Sequence, residues 1–409
     1  YLKMPEHSLS RLAQEQILKM AQQDPRFLVS ELIYESETES ILTRGKIAQT
    51  ILQICLKFPK QTIPLLIKNL SSTNTNAKIN AARVLTDFSK NHTLNIPLKT
   101  LVNIWRNEPS ENIKNELIPL IKYVGLKEPN KIAQFIEDFS KIYAKSSKAL
   151  KLSIAKMFSI LSAKNPNLIP LKLVEKMVED PESSIREQGY NILSKIEDKN
   201  LKKRINILKK GLKEEDLNIK KNVIQDLMKL ALHLNDSKLF TNILKLLDDS
   251  NKWTRKAVWD ALALLENQSK NVLDVKKILS NIDLNTEVEE VIYSFLKWAG
   301  MLSKNEFEQI FPYILKLMEH EKESIRTAAI STLVRLSENL KSDQIIPRLL
   351  SYLSDETPVR LEESVVLALN RIAKYEKKEI KERVIRLLSI RAHNTQNKIF
   401  QHVLADLKK

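Results

Sequence analysis

Glycine is almost missing from this chain. Gly45, Gly125, Gly189, Gly211 and Gly300 are all it has in 409 residues, about one percent where roughly seven is usual. Turns that need positive φ must therefore be few. Phosphate-cradling loops, dinucleotide fingerprints, nucleophile elbows and hairpin-rich sheets are excluded, since each needs glycine where none stands. One cysteine, Cys55, excludes an intramolecular disulfide framework and any multi-cysteine zinc or iron–sulfur site, and suits a reducing compartment. Histidine is as sparse: His7, His92, His233, His320, His393 and His402 occur singly, with no His-Glu-x-x-His and no pairing at i and i+4 with another metal ligand. No metal site and no cofactor is expected. Long apolar runs are also missing, so nothing approaches the roughly 18 residues of a membrane span. The start, Tyr1-Leu2-Lys3-Met4-Pro5, lacks a signal peptide's apolar region. These absences predict a cytoplasmic protein.

What is present is enough to fold. Apolar residues make up 43% of the chain and charged residues 28%, too apolar for general disorder and long enough to bury a large core. The net charge of +16 comes from 50 lysines and 16 arginines, a mix that favours solvated point charges over bidentate phosphate forks. It is spread along the chain with no basic tail, and implies affinity for something acidic without saying what.

A period organises the sequence. With Arg44, Lys78, Lys114, Lys151, Arg186, Lys220, Arg255, Glu289, Arg326 and Glu362 as anchors, the intervals are 34, 36, 37, 35, 34, 35, 34, 37 and 36. Three residues after the anchors stand Ile47, Ala81, Leu117, Ile154, Gly189, Val223, Val258, Ile292, Ala329 and Val365. Four after them stand Ala48, Ala82, Ile118, Ala155, Tyr190, Ile224, Trp259, Tyr293, Ile330 and Val366. The columns at plus seven (Ile51, Leu85, Ile121, Phe158, Leu193, Leu227, Leu262, Leu296, Leu333, Leu369) and plus ten (from Ile54 and Phe88 through Leu336 and Ile372) are likewise apolar throughout.

Offsets of 3, 4, 7 and 10 share one face of a 3.6-residue helix, so each period holds an amphipathic helix, helix B, starting near its anchor. A second apolar helix, helix A, precedes it, its start punctuated in five repeats by Ile63-Pro64, Ile96-Pro97, Ile169-Pro170, Phe311-Pro312 and Ile346-Pro347. The turn between them carries Glu108-Pro109, Asp180-Pro181, Asp248-Asp249 or Asp355, residues that start a helix rather than continue one. No strand signal remains.

Proline in the first helix, an acidic turn, then aliphatic-Arg-x-x-Ala-x-x-x-Leu, as in Ser324-Ile325-Arg326-Thr327-Ala328-Ala329 with Leu333 and in Asp180 to Arg186, resembles the HEAT repeat. The resemblance covers about residues 24 to 376, with residues 1–23 as an N-terminal cap and 377–409 as a frayed final repeat. It implies an all-α, right-handed α-α superhelix, a solenoid of about ten helix pairs forming a single domain. Glu289 and Glu362 depart from the basic anchor column, and Val359-Arg360 slips two residues out of register. HEAT solenoids include adaptin trunks, nuclear import receptors, condensin and cohesin accessory subunits, phosphatase scaffolds and alkylpurine DNA glycosylases. The stretch from Trp253 to Leu262 is partly similar to the glycosylases, as any HEAT unit is. His320-Glu321 is one pair where HEAT-type di-iron hydroxylases use several. No enzyme is expected.

Candidate contact residues stand out against this pattern. Lys or Arg at a helix N-terminus opposes the helix dipole, so something must offset the anchor column. It reads as a structural ladder in which Arg186 or Arg255 pairs with acidic turn residues such as Asp180, Asp216 or Asp249, or as a basic row presented to an acidic partner. Trp253 occupies a column that elsewhere holds Ser184, Asn218 and Ser324, and lies beside Lys252, Arg255 and Lys256. It either packs over the next turn or stands exposed among cations as a contact residue. Trp259 and Trp105 read as core. Trp298, at plus nine where other repeats have Lys195, Lys229, Arg335 and Arg371, is the second candidate contact. Leu201 to Lys221 carries net +5, including Lys220 and Lys221, and would track phosphates or serve as a solvated face. Cys55 falls in a column of small residues and reads as packing. The sequence thus predicts a non-enzymatic scaffold or adaptor that binds protein partners, a trunk for a larger assembly, without small-molecule substrate or membrane insertion. The alternative is a nucleic-acid-associated protein, chromosome-organising or repair-like, using its diffuse basic surface.

Overall fold

The periods hold pairs of helices, and in most of them the two helices pack on one another. The computed structural model describes residues 7–35, 41–94, 96–196, 201–268, 274–279, 282, 284, 287–339, 342–374, 376–395 and 398–408. Among them every regular element is helical. Contacts group the chain into two compact units, residues 1–207 and 208–409.

In the first unit the B helices are Ile41–Lys57, Thr75–Asn91, Glu111–Lys127, Lys148–Ser162 and Ser183–Leu193, each packed beside the next and over its own A helix. In the second they are Leu217–His233, Lys252–Gln268, Glu289–Ala299, Glu323–Asn339 and Val359–Ala373. Residues 377–409, expected as a frayed repeat, hold the helices Lys378–Thr395 and Lys398–Leu407. The latter packs beside Val359–Ala373 and buries Phe400, Val403, Leu404 and Leu407, continuing the B row.

The apolar columns are the core. Every plus-seven and plus-ten residue is buried, and so is every plus-three residue. At plus four only Ala48, half-buried, and Tyr293, 39% exposed, depart. Burying aliphatic side chains at this density is what a single helix pair cannot do alone; it needs its neighbours on both flanks.

Local chemistry fixes the helix ends. Pro97 and Pro170 are N-cap residues, whereas Pro64, Pro312 and Pro347 lie inside helices, so the shared X-Pro signature has two structural roles. Asn235 alone among described non-glycine residues has positive φ, 51°, and no glycine does. It closes the Leu217–His233 helix with Asp236 N–H donating to Ala231 O at 2.8 Å and its own N–H to Leu232 O at 3.1 Å, a Schellman closure made with asparagine. Gly189 has a different purpose. A Cβ there would meet Val178 Cγ1 at 2.8 Å and the Val178 backbone nitrogen at 3.0 Å, so its absence lets the Leu171–Val178 helix approach.

Candidate partner-binding surface

Three arginines of the anchor column are held by the turns beneath them. Arg186 Nη1 donates to the carbonyls of Asp180 and Pro181, Arg255 Nη1 to those of Asp249 and Ser250, and Arg326 Nη1 to those of His320 and Glu321, in each case six and five residues back. The residue six before the anchor has a second task. Its side chain accepts the backbone N–H two residues on: Glu108 from Ser110, Asp180 from Glu182, Asp249 from Asn251, and His320 Nδ1 from Lys322. His320 thus replaces a carboxylate as a turn acceptor.

Adjacent repeats are tied by the same groups. Lys78 Nζ reaches Glu108 at 2.6 Å, Lys151 reaches Asp180 at 3.5 Å, and Arg255 holds Glu287 by two hydrogen bonds of 2.7 Å, which raises the Arg255 pKa. Where the anchor is acidic the polarity reverses. Glu289 accepts from the Tyr293 hydroxyl, Ser324 Oγ and Lys322 Nζ, and its pKa falls to about 2. Glu362 accepts from Arg391 Nε. At these anchors a structural ladder offsets the unfavourable helix-end charge. Arg186 and Arg255 differ from the sequence expectation in one respect: toward their own turns they use backbone carbonyls.

Trp253 is exposed, at 43%. It opens the Lys252–Gln268 helix, where its N–H donates to Asn251 Oδ1 at 2.9 Å. Lys252 Nζ lies 4.9 Å from the centre of the indole and is itself held by Glu290 at 2.7 Å. A cation at that distance attracts the ring quadrupole. Arg255 and Lys256 stand one turn along, but Arg255 is spent on Glu287 and Lys256 pairs with Asp260 at 2.7 Å. Lys220 is half-buried and Lys221 exposed on the Leu217–His233 helix, neither in an ion pair.

Trp298 is a correction. It is fully buried, its ring 5.1 Å from Trp259 and 6.0 Å from Phe295, and its Nε1 has no hydrogen-bond partner. The reason lies in the plus-nine column, which meets the flank of the preceding B helix. From that position Lys195 Nζ donates to Ser159 O, with its pKa lowered by burial, and Arg371 Nη1 reaches Ser331 Oγ. A tryptophan there enters the inter-repeat core. Tyr293 is the converse correction, expected as core but exposed, with its hydroxyl 2.6 Å from Glu289. Arg204, counted among the phosphate-tracking cations, is buried and donates to the carbonyls of Ile196 and Ser194. Trp259 and Trp105 are buried as expected, and so is Cys55.

Sequence patterns did not point to Glu287 and Glu290, which fix Arg255 and Lys252. Their signal was an acidic pair about one period after two basic residues. No helix among the described residues is long and apolar enough to cross a membrane.

Comparison with known proteins agrees with this architecture. The HEAT repeat family model matches residues 310–340, the end of one A helix and the following B helix. No curated protein sequence matches. Among solved structures, the karyopherin Kap121p bound to the extreme C-terminus of the protein phosphatase Cdc14p aligns at 14% identity and a TM-score of 0.61, covering 98% of this chain and 48% of that one. The Kap95:Nup1 complex aligns at 13% identity and 0.59, covering 99% and 65%. Kap95p bound to RanGDP aligns at 13% and 0.55, covering 99% and 61%. The chain spans less than two thirds of the length of these karyopherins. At such identity the likeness is one of fold, an all-α array of stacked helix pairs.

Proposed function

We propose that this chain, a HEAT-repeat protein, is a non-enzymatic scaffold for protein partners, with the first turn of the Lys252–Gln268 helix as a contact point. The observation that carries the reading is Trp253. An indole left 43% exposed at a helix start, with its backbone fixed by Asn251 and its face covered by a lysine that Glu290 holds, is ordered before any partner arrives. Tryptophan is enriched among residues that dominate binding energy, and a pre-ordered one loses little entropy on docking. The similar karyopherins are seen with a phosphatase C-terminus and with Nup1, which supports a protein as the occupant. The nucleic-acid alternative draws on Lys220, Lys221 and other exposed cations, because the anchor arginines Arg186, Arg255 and Arg326 are engaged by carbonyls and carboxylates. A buried thiol as the sole cysteine supports a cytoplasmic setting.

The test is capture of co-purifying proteins with and without nuclease, using wild type and Trp253→Ala. Capture should survive nuclease and weaken by about 2 kcal/mol or more in the variant. Capture that disappears with nuclease, or that ignores the substitution, would overturn this contact.

A further inference from the structure

Among the described residues, the second unit carries cations with no ion-pair partner. Lys221 and Lys229 on the Leu217–His233 helix, Lys297 on Glu289–Ala299 and Arg335 on Glu323–Asn339 are exposed, and none of the four forms an ion pair. By helical period all four lie on the half of their B helices turned away from the apolar core columns, Lys229 and Arg335 toward the preceding B helix. Those helices lie flank to flank, as the cross-links between them require: Ser294 Oγ donates to Asp260 Oδ1 at 3.0 Å, and Arg371 Nη1 to Ser331 Oγ at 3.0 Å. The carboxylates at the margin are occupied, Asp260 by Lys256 and Glu290 by Lys252. In the first unit some B-helix cations are paired, Arg83 with Glu116 and Lys90 with Asp87.

Exposed aliphatic side chains interrupt the cations. Leu264 is 37% and Leu367 36% exposed on the same half of their helices. Uncompensated like charges repel one another, and a leucine among them gains nothing from water. We infer that this face docks an acidic, extended segment of a partner protein, with apolar side chains between its carboxylates. The inference rests on the protein-binding reading above and names the chemistry of one partner. Packed helices are about 8 to 10 Å apart and an extended chain advances about 3.3 Å per residue. A segment crossing the B helices therefore passes one helix roughly every third residue, which sets the spacing of its carboxylates. The aliphatic groups favour peptide over single-stranded nucleic acid, whose bases need stacking surfaces that leucine does not supply.

Fluorescence anisotropy on the full chain tests this with a labelled peptide of about 15 residues, long enough to cross several helices, bearing glutamate at every third position and leucine between. Its glutamine counterpart and an oligothymidylate of similar length are the comparison probes. The glutamate peptide should bind, more weakly as salt rises, and the triple variant Lys229→Glu, Lys297→Glu, Arg335→Glu should weaken it by about tenfold or more. Leu264→Ser should weaken it several-fold with charge unchanged. If charge reversal disturbs the helical circular dichroism, the neutral Lys229→Gln, Lys297→Gln pair replaces it, with a smaller loss expected. Equal binding of the glutamine peptide, indifference to these substitutions, or tighter variant-sensitive binding of the oligothymidylate would overturn the inference. Absence of peptide binding with Trp253-dependent capture intact removes this inference and leaves the scaffold reading standing. Peptide binding without Trp253-dependent capture removes only that contact.

Discussion

Arg255 and Glu287, 32 residues apart, share two hydrogen bonds of 2.7 Å while the same guanidinium donates to Asp249 O at 2.7 Å. One side chain therefore closes the turn of its own repeat and clamps the next. Most of its donors are used in a fixed fork, and an ammonium cannot reproduce that geometry. Arg255→Ala should cost about 1 to 3 kcal/mol in thermal or urea unfolding, and Arg255→Lys should recover little of it. A double-mutant cycle with Glu287→Gln should show coupling of about 0.5 to 3 kcal/mol. Strict additivity would mean that the clamp contributes nothing.

The four tryptophans divide by environment, and stability measurements should divide them the same way. Trp298→Ala removes a buried ring packed on Trp259 and Phe295 and should cost about 3 to 5 kcal/mol. Trp253→Ala, on an exposed first turn, should change stability by only about 0.5 kcal/mol. Leu227→Ala, in the fully buried plus-seven column, belongs with the first, at about 2 to 5 kcal/mol. A Trp253→Ala variant as unstable as Trp298→Ala would show that the indole is structural and not a contact.

Cys55 is buried, and desolvation raises its thiol pKa to about 11, against a smaller lowering by the Thr62 hydrogen bond. Since the thiolate is the nucleophile, iodoacetamide near neutral pH should leave Cys55 unmodified in the folded protein and alkylate it fully in denaturant. Rapid modification of the native chain would mean that the Ile41–Lys57 helix opens locally.

These contrasts mark what was legible in the sequence. Leu193, Leu227 and Leu262 could be placed in the core because helical period alone decides which face meets helix A. Trp298 could not, because its burial depends on how one repeat leans on the preceding one, and the 3.6-residue period carries no information on that angle. Tyr293 shares an offset with Trp259 and yet is exposed. Its anchor is Glu289, which offers the phenol hydroxyl an acceptor one turn away, where Arg255 in the neighbouring repeat offers none. The basic anchors and the acids of the turns were visible as types, and Trp253 stood out by its column. The carbonyls that Arg186 and Arg326 bind were not visible, since every residue has one and only the turn geometry selects which.

Glu289 gives the last prediction a pH axis. Hydrogen bonds from Tyr293, Ser324 and Lys322 lower its pKa from the ordinary 4.5 to about 2 in the folded protein. A depressed folded-state value means that the unfolded chain takes up its proton first on acidification. The contribution of Glu289 to stability is therefore fully present above about pH 4.5 and is lost as the pH falls toward about 2. Glu289→Gln should melt below wild type at neutral pH. That difference should stay constant down to about pH 5, shrink through the interval below it, and nearly vanish around pH 2, other carboxylates titrating alike in both proteins. Lys322→Ala should also lower the neutral-pH melting temperature, because it removes one of the three donors to Glu289 together with the attraction of its charge. A difference between wild type and Glu289→Gln that is the same at pH 7 and about pH 2.5 would mean that the carboxylate's charge is not what links the Glu289–Ala299 helix to the turn before Glu323–Asn339.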